Sequence, residues 1–278
     1  MKVKNIFIST GLVLSAVLGV SSNAQAASFT TNFTPNPFNP ATDSTKDITL
    51  QSIEQNGFTT DDFILVKTAK INKNTNLTLG PASTDKGLDA TSPGFDPKEK
   101  PTNEQLAAYL GNTNLNNIVD GEESGEFDID VFFDKVVASN DLGLDSIFVW
   151  ERGANSDIQL QALDASGNPF GVAYKLTRNL FASNLAGYSI KTTEIATSAA
   201  QPVGAYGVSF QNLGLASTDL IYGLKLTAGA GFNGPDFKVA GANFIPVVDV
   251  PEPTTMLGLG SVAALALLRR RQTKKTAC

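Results

Sequence analysis

An all-β protein, an antiparallel β-sandwich or jelly roll with one short helix, is the fold class this sequence predicts. Three observations lead there. Short runs rich in Val, Ile, Phe, Tyr and Thr recur along residues 47–244. Turn formers separate them, as at Arg152-Gly153-Ala154-Asn155, Ser166-Gly167-Asn168-Pro169 and Asn233-Gly234-Pro235. Between the two apolar terminal segments, a single stretch carries clear helix signals. No repeat of fixed period is visible, so residues 47–249 read as one domain.

In chain order, residues 27–46 are rich in Asn, Pro and Thr and read as an extended leader. Asp47 to Gln55 has strand composition, and Gly57 marks a turn. Phe63 to Ile71 is a second strand, apolar at its start. Gly80 to Lys100 shows no periodicity and carries Pro81, Pro93 and Pro97, which predicts a long loop. Thr102, with Gln105 three residues on, opens the helix, which Leu106, Ala107, Tyr109 and Leu110 continue and Gly111 ends. An Asn-rich stretch, Asn112 to Asn117, follows. Phe127 to Phe133 alternates, with Phe127, Ile129, Val131 and Phe133 facing inward and Asp128, Asp130, Phe132 and Asp134 outward.

Further strands are predicted at 146–152, 157–163, 172–176, 188–195, 203–210, 220–226 and 237–244. The first of these is unusual. Ile147, Val149 and Glu151 share one face, and Phe148, Trp150 and Arg152 share the other. Both faces are largely apolar, so this strand is expected to be central and covered on both sides.

Composition narrows the chemistry. The chain has no histidine, which removes Ser-His-Asp and Cys-His catalysis and the usual zinc sites. A carboxylate pair or a serine-lysine arrangement remains open for hydrolysis. The single cysteine, Cys278, lies in the C-terminal tail, so residues 27–250 contain no internal disulfide. Five of the 21 basic residues lie in the tail and two in the first 26 residues. Residues 27–250 therefore hold 14 basic and 26 acidic residues, net −12. Nucleic acid is excluded as a partner on that balance.

The two ends read as targeting segments. Lys2 and Lys4 precede an apolar run, Ile6 to Val20, and Ala24-Gln25-Ala26 supplies a small-residue cleavage site. Residues 1–26 are thus a signal peptide, cut by signal peptidase on export. At the other end, Val250-Pro251-Glu252-Pro253 precedes an apolar segment, 254–268, closed by Arg269-Arg270-Arg271. Met256 to Leu268 spans about 20 Å as a helix, short of the roughly 30 Å hydrocarbon core. The arginines would stay inside, with everything before Pro251 outside. This order of parts, residues 250–278, resembles the sorting signal of exosortase substrates, the PEP-CTERM proteins. The resemblance implies a temporary membrane anchor, removed by an exosortase near Pro251–Pro253, and delivery to the cell envelope, the cell surface or the medium.

Three inner stretches, Ile147 to Leu163, Thr192-Thr193-Glu194-Ile195 and Gly234-Pro235-Asp236-Phe237-Lys238, resemble a group of exosortase-dependent surface proteins found mainly in cyanobacteria. That resemblance implies topology and location and carries no assigned chemistry. Within the first stretch, the preferred interpretation is a hairpin whose corner Arg152 locks by pairing with Asp157 or Glu151. The alternative is a ligand platform around Trp150. The acidic block supports two interpretations that stay open: a calcium site drawn from Asp120, Glu122, Glu126, Asp128 and Asp130, or a solvated strand that discourages edge pairing.

The function expected from sequence is that of an exported, exosortase-sorted surface or extracellular-matrix protein, structural or binding and not an enzyme. A polysaccharide-binding module, marked by an exposed Trp150, is the alternative. A glycoside-active enzyme, with two carboxylates about 5–10 Å apart in a cleft, comes third.

Overall fold

The computed structural model describes residues 29–75, 82–122, 125–140 and 142–244. The signal-peptide and sorting segments, 1–26 and 250–278, lie outside the described residues. β1 (Thr30–Thr34) pairs antiparallel with β2 (Thr49–Gln55), and the helical turn α1 (Pro40–Asp43) lies between them. From sequence, 27–46 is an extended leader; in the structure part of it is a strand of the domain. Its Phe33 packs edge-on to Phe38 and Tyr188, which gives this Thr-rich segment an apolar anchor. Asn56 and Gly57, both at positive φ, turn β2 into β3 (Phe58–Thr60), as Asn-Gly favours in two-residue hairpins.

The predicted strand at 63–71 is broken at Leu65 into β4 (Phe63–Ile64) and β5 (Val66–Thr75). The two halves enter different sheets. β6 (Ala82–Lys86) corrects the expected loop at 80–100. Its Ser-Thr-Asp sequence has no apolar alternation, and it is ordered by pairing with β7 (Asn117–Gly121). Between them lies α2 (Asn103–Leu110), where Thr102 and Gln105 form the reciprocal capping box expected from sequence. Leu106, Ala107, Tyr109 and Leu110 are all buried.

β8 (Glu126–Ala138) buries Phe127, Ile129, Val131 and Phe133 as alternation requires. Then follow β9 (Ile147–Arg152), β10 (Ile158–Leu163), β11 (Pro169–Leu176), the short helix α3 (Arg178–Ala182), β12 (Leu185–Ile190), β13 (Gln201–Val208), β14 (Leu220–Ala228) and β15 (Phe237–Ala242).

These strands form three antiparallel sheets: β1-β2-β3, β11-β10-β14-β8-β5, and β12-β13-β9-β15-β7-β6, with β4 also on β15. The third and largest is shared by two hydrophobic cores. Ile147 and Val149 belong to one core with Ile129, Val131, Leu160 and Leu224 of the five-stranded sheet. Phe148 and Trp150 belong to the other, with Leu50 and Ile53 of the three-stranded sheet. This is why β9 is apolar on both faces: it lies between β13 and β15 and every residue of it is buried. The second face is covered by a sheet that includes the expected leader.

The expected hairpin at 147–163 does not form. β9 and β10 lie in different sheets, so the chain crosses from one layer to the next at Gly153-Ala154-Asn155. Gly153 (φ 93°) and Ala154 (φ 53°) both adopt left-handed backbone there. On β15, opposite Trp150, the buried Lys238 donates its Nζ to the carbonyl of Tyr109 at 2.6 Å, at the C-terminal end of α2. Among the described residues no helix is long and apolar enough to cross a membrane.

Candidate functional site

At the end of β9, Arg152 is ion-paired with four acidic side chains. Alternation sends Arg152 to the Phe148–Trp150 face, where it is 5% exposed. A guanidinium in that position must have every N–H answered. Nε and Nη2 both donate to Asp236 Oδ2, at 3.1 and 2.8 Å. Nη2 also donates to Asp120 Oδ1 at 3.2 Å, and Nη1 to Asp85 Oδ2 at 3.3 Å and to the Thr192 hydroxyl. Glu194 closes the ring at 3.5 Å.

Each partner is brought in by a different element. Asp85 lies one residue before the end of β6, Asp120 lies on β7, Thr192 and Glu194 follow β12, and Asp236 precedes β15. Local bonds orient them. Asp85 accepts from the backbone of Lys86, Thr193 and Glu194. Asp236 Oδ1 accepts from Gly121 N at 2.9 Å. Gly121 has no room for a side chain, since a Cβ would lie 2.6 Å from the carbonyl oxygen of Pro235.

Electrostatics follow from this crowding. Burial opposes the charge on Arg152, but Asp236, Asp120 and Asp85 outweigh it and raise its pKa. Burial pushes Asp120 well above the usual carboxylate range, and the charge of Asp236 adds to the push. Burial likewise raises Asp236, against the pull of Arg152. The hydrogen bond with Asp120, together with Arg152, lowers Glu194. Next door, Glu151 is fully buried on the opposite face. Its Oε2 accepts from Asn155 N at 3.1 Å, its Oε1 has no hydrogen-bond partner, and burial raises its pKa strongly.

The expected pairing of Arg152 with Asp157 or Glu151 is therefore corrected. Asp157 lies across the layer crossing, where Arg178 Nε at 3.1 Å and Lys175 Nζ at 2.7 Å hold it. Burial opposes its charge, yet those donors bring its pKa down to about 2. Trp150 is 1% exposed, with its Nε1 donating to Thr31 Oγ1 at 3.0 Å and Phe29 edge-on to the ring. It is a core residue, and the exposed platform expected of a polysaccharide-binding module is not formed there.

The acidic block is also divided. Asp120 joins the Arg152 centre, and Glu122 lines a hollow beside it. Glu126, Asp128 and Asp130 lie on β8 in the five-stranded sheet. There Glu126 pairs with Lys73, Asp128 and Asp130 meet Lys225, and Asn72 donates to Asp130 at 2.6 Å. The five residues thus do not assemble into one calcium site.

Asp85, Glu194 and Asp236 were not singled out as site residues. A signal for two of them was present: the stretches 192–195 and 234–238 each carry an acid beside a turn. The structure brings both stretches to Arg152. Asp85 sat in the expected loop and gave no signal.

Elsewhere, a hollow of about 360 Å³ is lined by Gln55, Asn140, Asp145, Ser209, Gln211 and Asn212, among others. At its floor Gln55 and Asp145 exchange two hydrogen bonds, 2.6 and 2.9 Å long.

Compared with known proteins, residues 249–272 match the PEP-CTERM protein-sorting motif. The motif holds Val250, Pro251, Glu252 and Pro253 at its start and Arg269, Arg270 and Arg271 near its end. It supports exosortase-dependent sorting to the cell surface. No curated protein and no solved structure matches the chain. The likeness of the inner stretches to a cyanobacterial group finds no support in those comparisons.

Proposed function

We propose that the protein is a non-enzymatic surface or extracellular-matrix component, delivered through a membrane-anchored precursor whose tail an exosortase removes. The observation that carries this is the sorting motif at 249–272, which begins five residues after the last described residue of the β domain, Phe244. Signal peptidase would act on the other end, after Ala26. The tail would hold the precursor in the membrane only briefly, because a segment this short mismatches the bilayer.

A structural or binding role for the domain is supported by how its charges are used. Arg152 spends its N–H donors on Asp85, Asp120, Asp236 and Thr192, so it acts as a clamp between strands. The carboxyl groups of Asp85, Asp120, Glu194 and Asp236 are drawn together around this guanidinium, which supports a structural use of their charge. If the domain binds polysaccharide, the hollow lined by Gln55, Asn140 and Asn212 suits it better than Trp150, since amides and hydroxyls match sugar hydroxyls.

Replacing Pro251, Glu252 and Pro253 together by alanine in the native host tests this. A larger, membrane-retained form is expected. Unchanged release at unchanged size would contradict exosortase processing.

A further inference from the structure

At the outer end of the Arg152 centre, Asp85, Asp120 and Glu194 each offer an oxygen, and these oxygens lie within 4.8 Å of one another. Asp85 and Asp120 are buried, while the Glu194 side chain is 45% exposed, so the group opens to solvent on one side. Two hollows, of about 280 and 180 Å³, flank it, and Asp120 and Glu194 line both.

Asp120 distinguishes this group from an ordinary solvated cluster of acids. Its Oδ1 accepts from Arg152, while no N–H or hydroxyl donor reaches its buried Oδ2, so Asp120 and Glu194 can bond only through a proton held by one of the two carboxyls. A buried oxygen of this kind needs a proton or a cation. Arg152 cannot supply more. Its five N–H groups already face Asp236, Asp120, Asp85 and Thr192. Four carboxyl groups ring this one guanidinium, which leaves the centre three positive charges short if all are ionised.

We propose that Asp85, Asp120 and Glu194 hold a divalent cation of the calcium class. The donor set is all oxygen, which suits a hard cation, and the chain has no histidine to favour zinc. Calcium accepts irregular geometry and completes its shell with water from the open side, whereas magnesium demands a near-ideal octahedron. Asp85 Oδ1 is taken up by the Lys86 and Thr193 amides and the Thr193 hydroxyl, which orient the carboxylate, so Asp85 would offer the ion its Oδ2, reached by Arg152 and the Glu194 amide only at 3.3 and 3.2 Å. The ion would join β6, β7 and the segment after β12. That segment already runs along the sheet edge, where Gly87 bridges Thr192 and Thr193 N donates to Lys86 O. With all three ligands shared with Arg152, affinity falls in the weak range of extracellular modules, a Kd of about 0.1–1 mM.

The test uses the full chain, stripped with EDTA and titrated with calcium chloride by calorimetry near neutral pH, magnesium chloride serving as control. Melting curves with and without millimolar calcium accompany it. The expected result is one calcium per chain, weaker magnesium binding, and a higher melting temperature with calcium. Glu194→Gln should weaken calcium binding about tenfold and remove the shift, while melting like the parent in EDTA. Asp120→Asn should do the same; if it fails to fold, the half-exposed Glu194→Gln still decides. Absence of both heat and shift in the folded parent would overturn the proposal, leaving Asp120 and Glu194 joined by a shared proton. Binding that Glu194→Gln leaves intact, or that magnesium matches, would overturn it equally.

Discussion

The indole of Trp150 donates its Nε1 hydrogen to the hydroxyl of Thr31 at 3.0 Å, across 119 positions of sequence. This bond ties the central strand of the middle sheet to the first described strand of the chain. Phe29 and Phe148 pack against the same ring. The three-stranded sheet is thus the lid of the second core.

Trp150→Ala is expected to destabilise the protein by about 3–5 kcal/mol in urea titrations, as removal of a core aromatic does. Thr31→Val keeps the shape and leaves the buried indole N–H unanswered, at a cost of about 1–3 kcal/mol. Full stability in both variants would show that the three-stranded sheet does not seal the core.

Arg152 tolerates no shorter cation. Arg152→Lys offers three donors from one point where a planar fork now serves Asp85, Asp120, Asp236 and Thr192. A loss of about 3–5 kcal/mol is expected, because buried carboxyls are left without partners. A loss under about 1 kcal/mol would mean that the centre is wet and loosely held.

Asp145 sets a pH dependence. Burial pushes its pKa up to about 6, against the hydrogen bond from Gln55, from an ordinary value of 3.8. The folded state therefore binds more protons than the unfolded state between these values. Its contribution to stability is full below pH 4 and is lost as pH rises through 6, a change of about 3 kcal/mol. Asp145→Asn should flatten stability over that window and leave it unchanged below it. An unaltered slope in the variant would show that Asp145 ionises normally.

Much of the fold was legible because alternation records which side chains meet a core. Phe127 to Phe133 and Ile147 to Arg152 declared their faces, and Thr102 with Gln105 declared the helix start. What alternation cannot record is which sheet a strand joins. Gly153 announces a turn, but whether the chain returns along β9 or crosses to another layer depends on distant partners. β6 was invisible for a different reason: Ser83, Thr84 and Asp85 face hydrogen bonds and Arg152, so their burial leaves no apolar pattern. The same holds for the site. Arg152 is recognisable as a paired charge, yet its acids come from positions 85, 120, 194 and 236, and nearest-neighbour reasoning points to Asp157 or Glu151 instead.

The sorting of the chain is tested most directly by the intact mass of the protein recovered from the culture medium and cell surface of the native host. The expected mass corresponds to a chain that begins after Ala26 and ends between Val250 and Pro253. A released protein that still carries Arg269, Arg270 and Arg271 would contradict it.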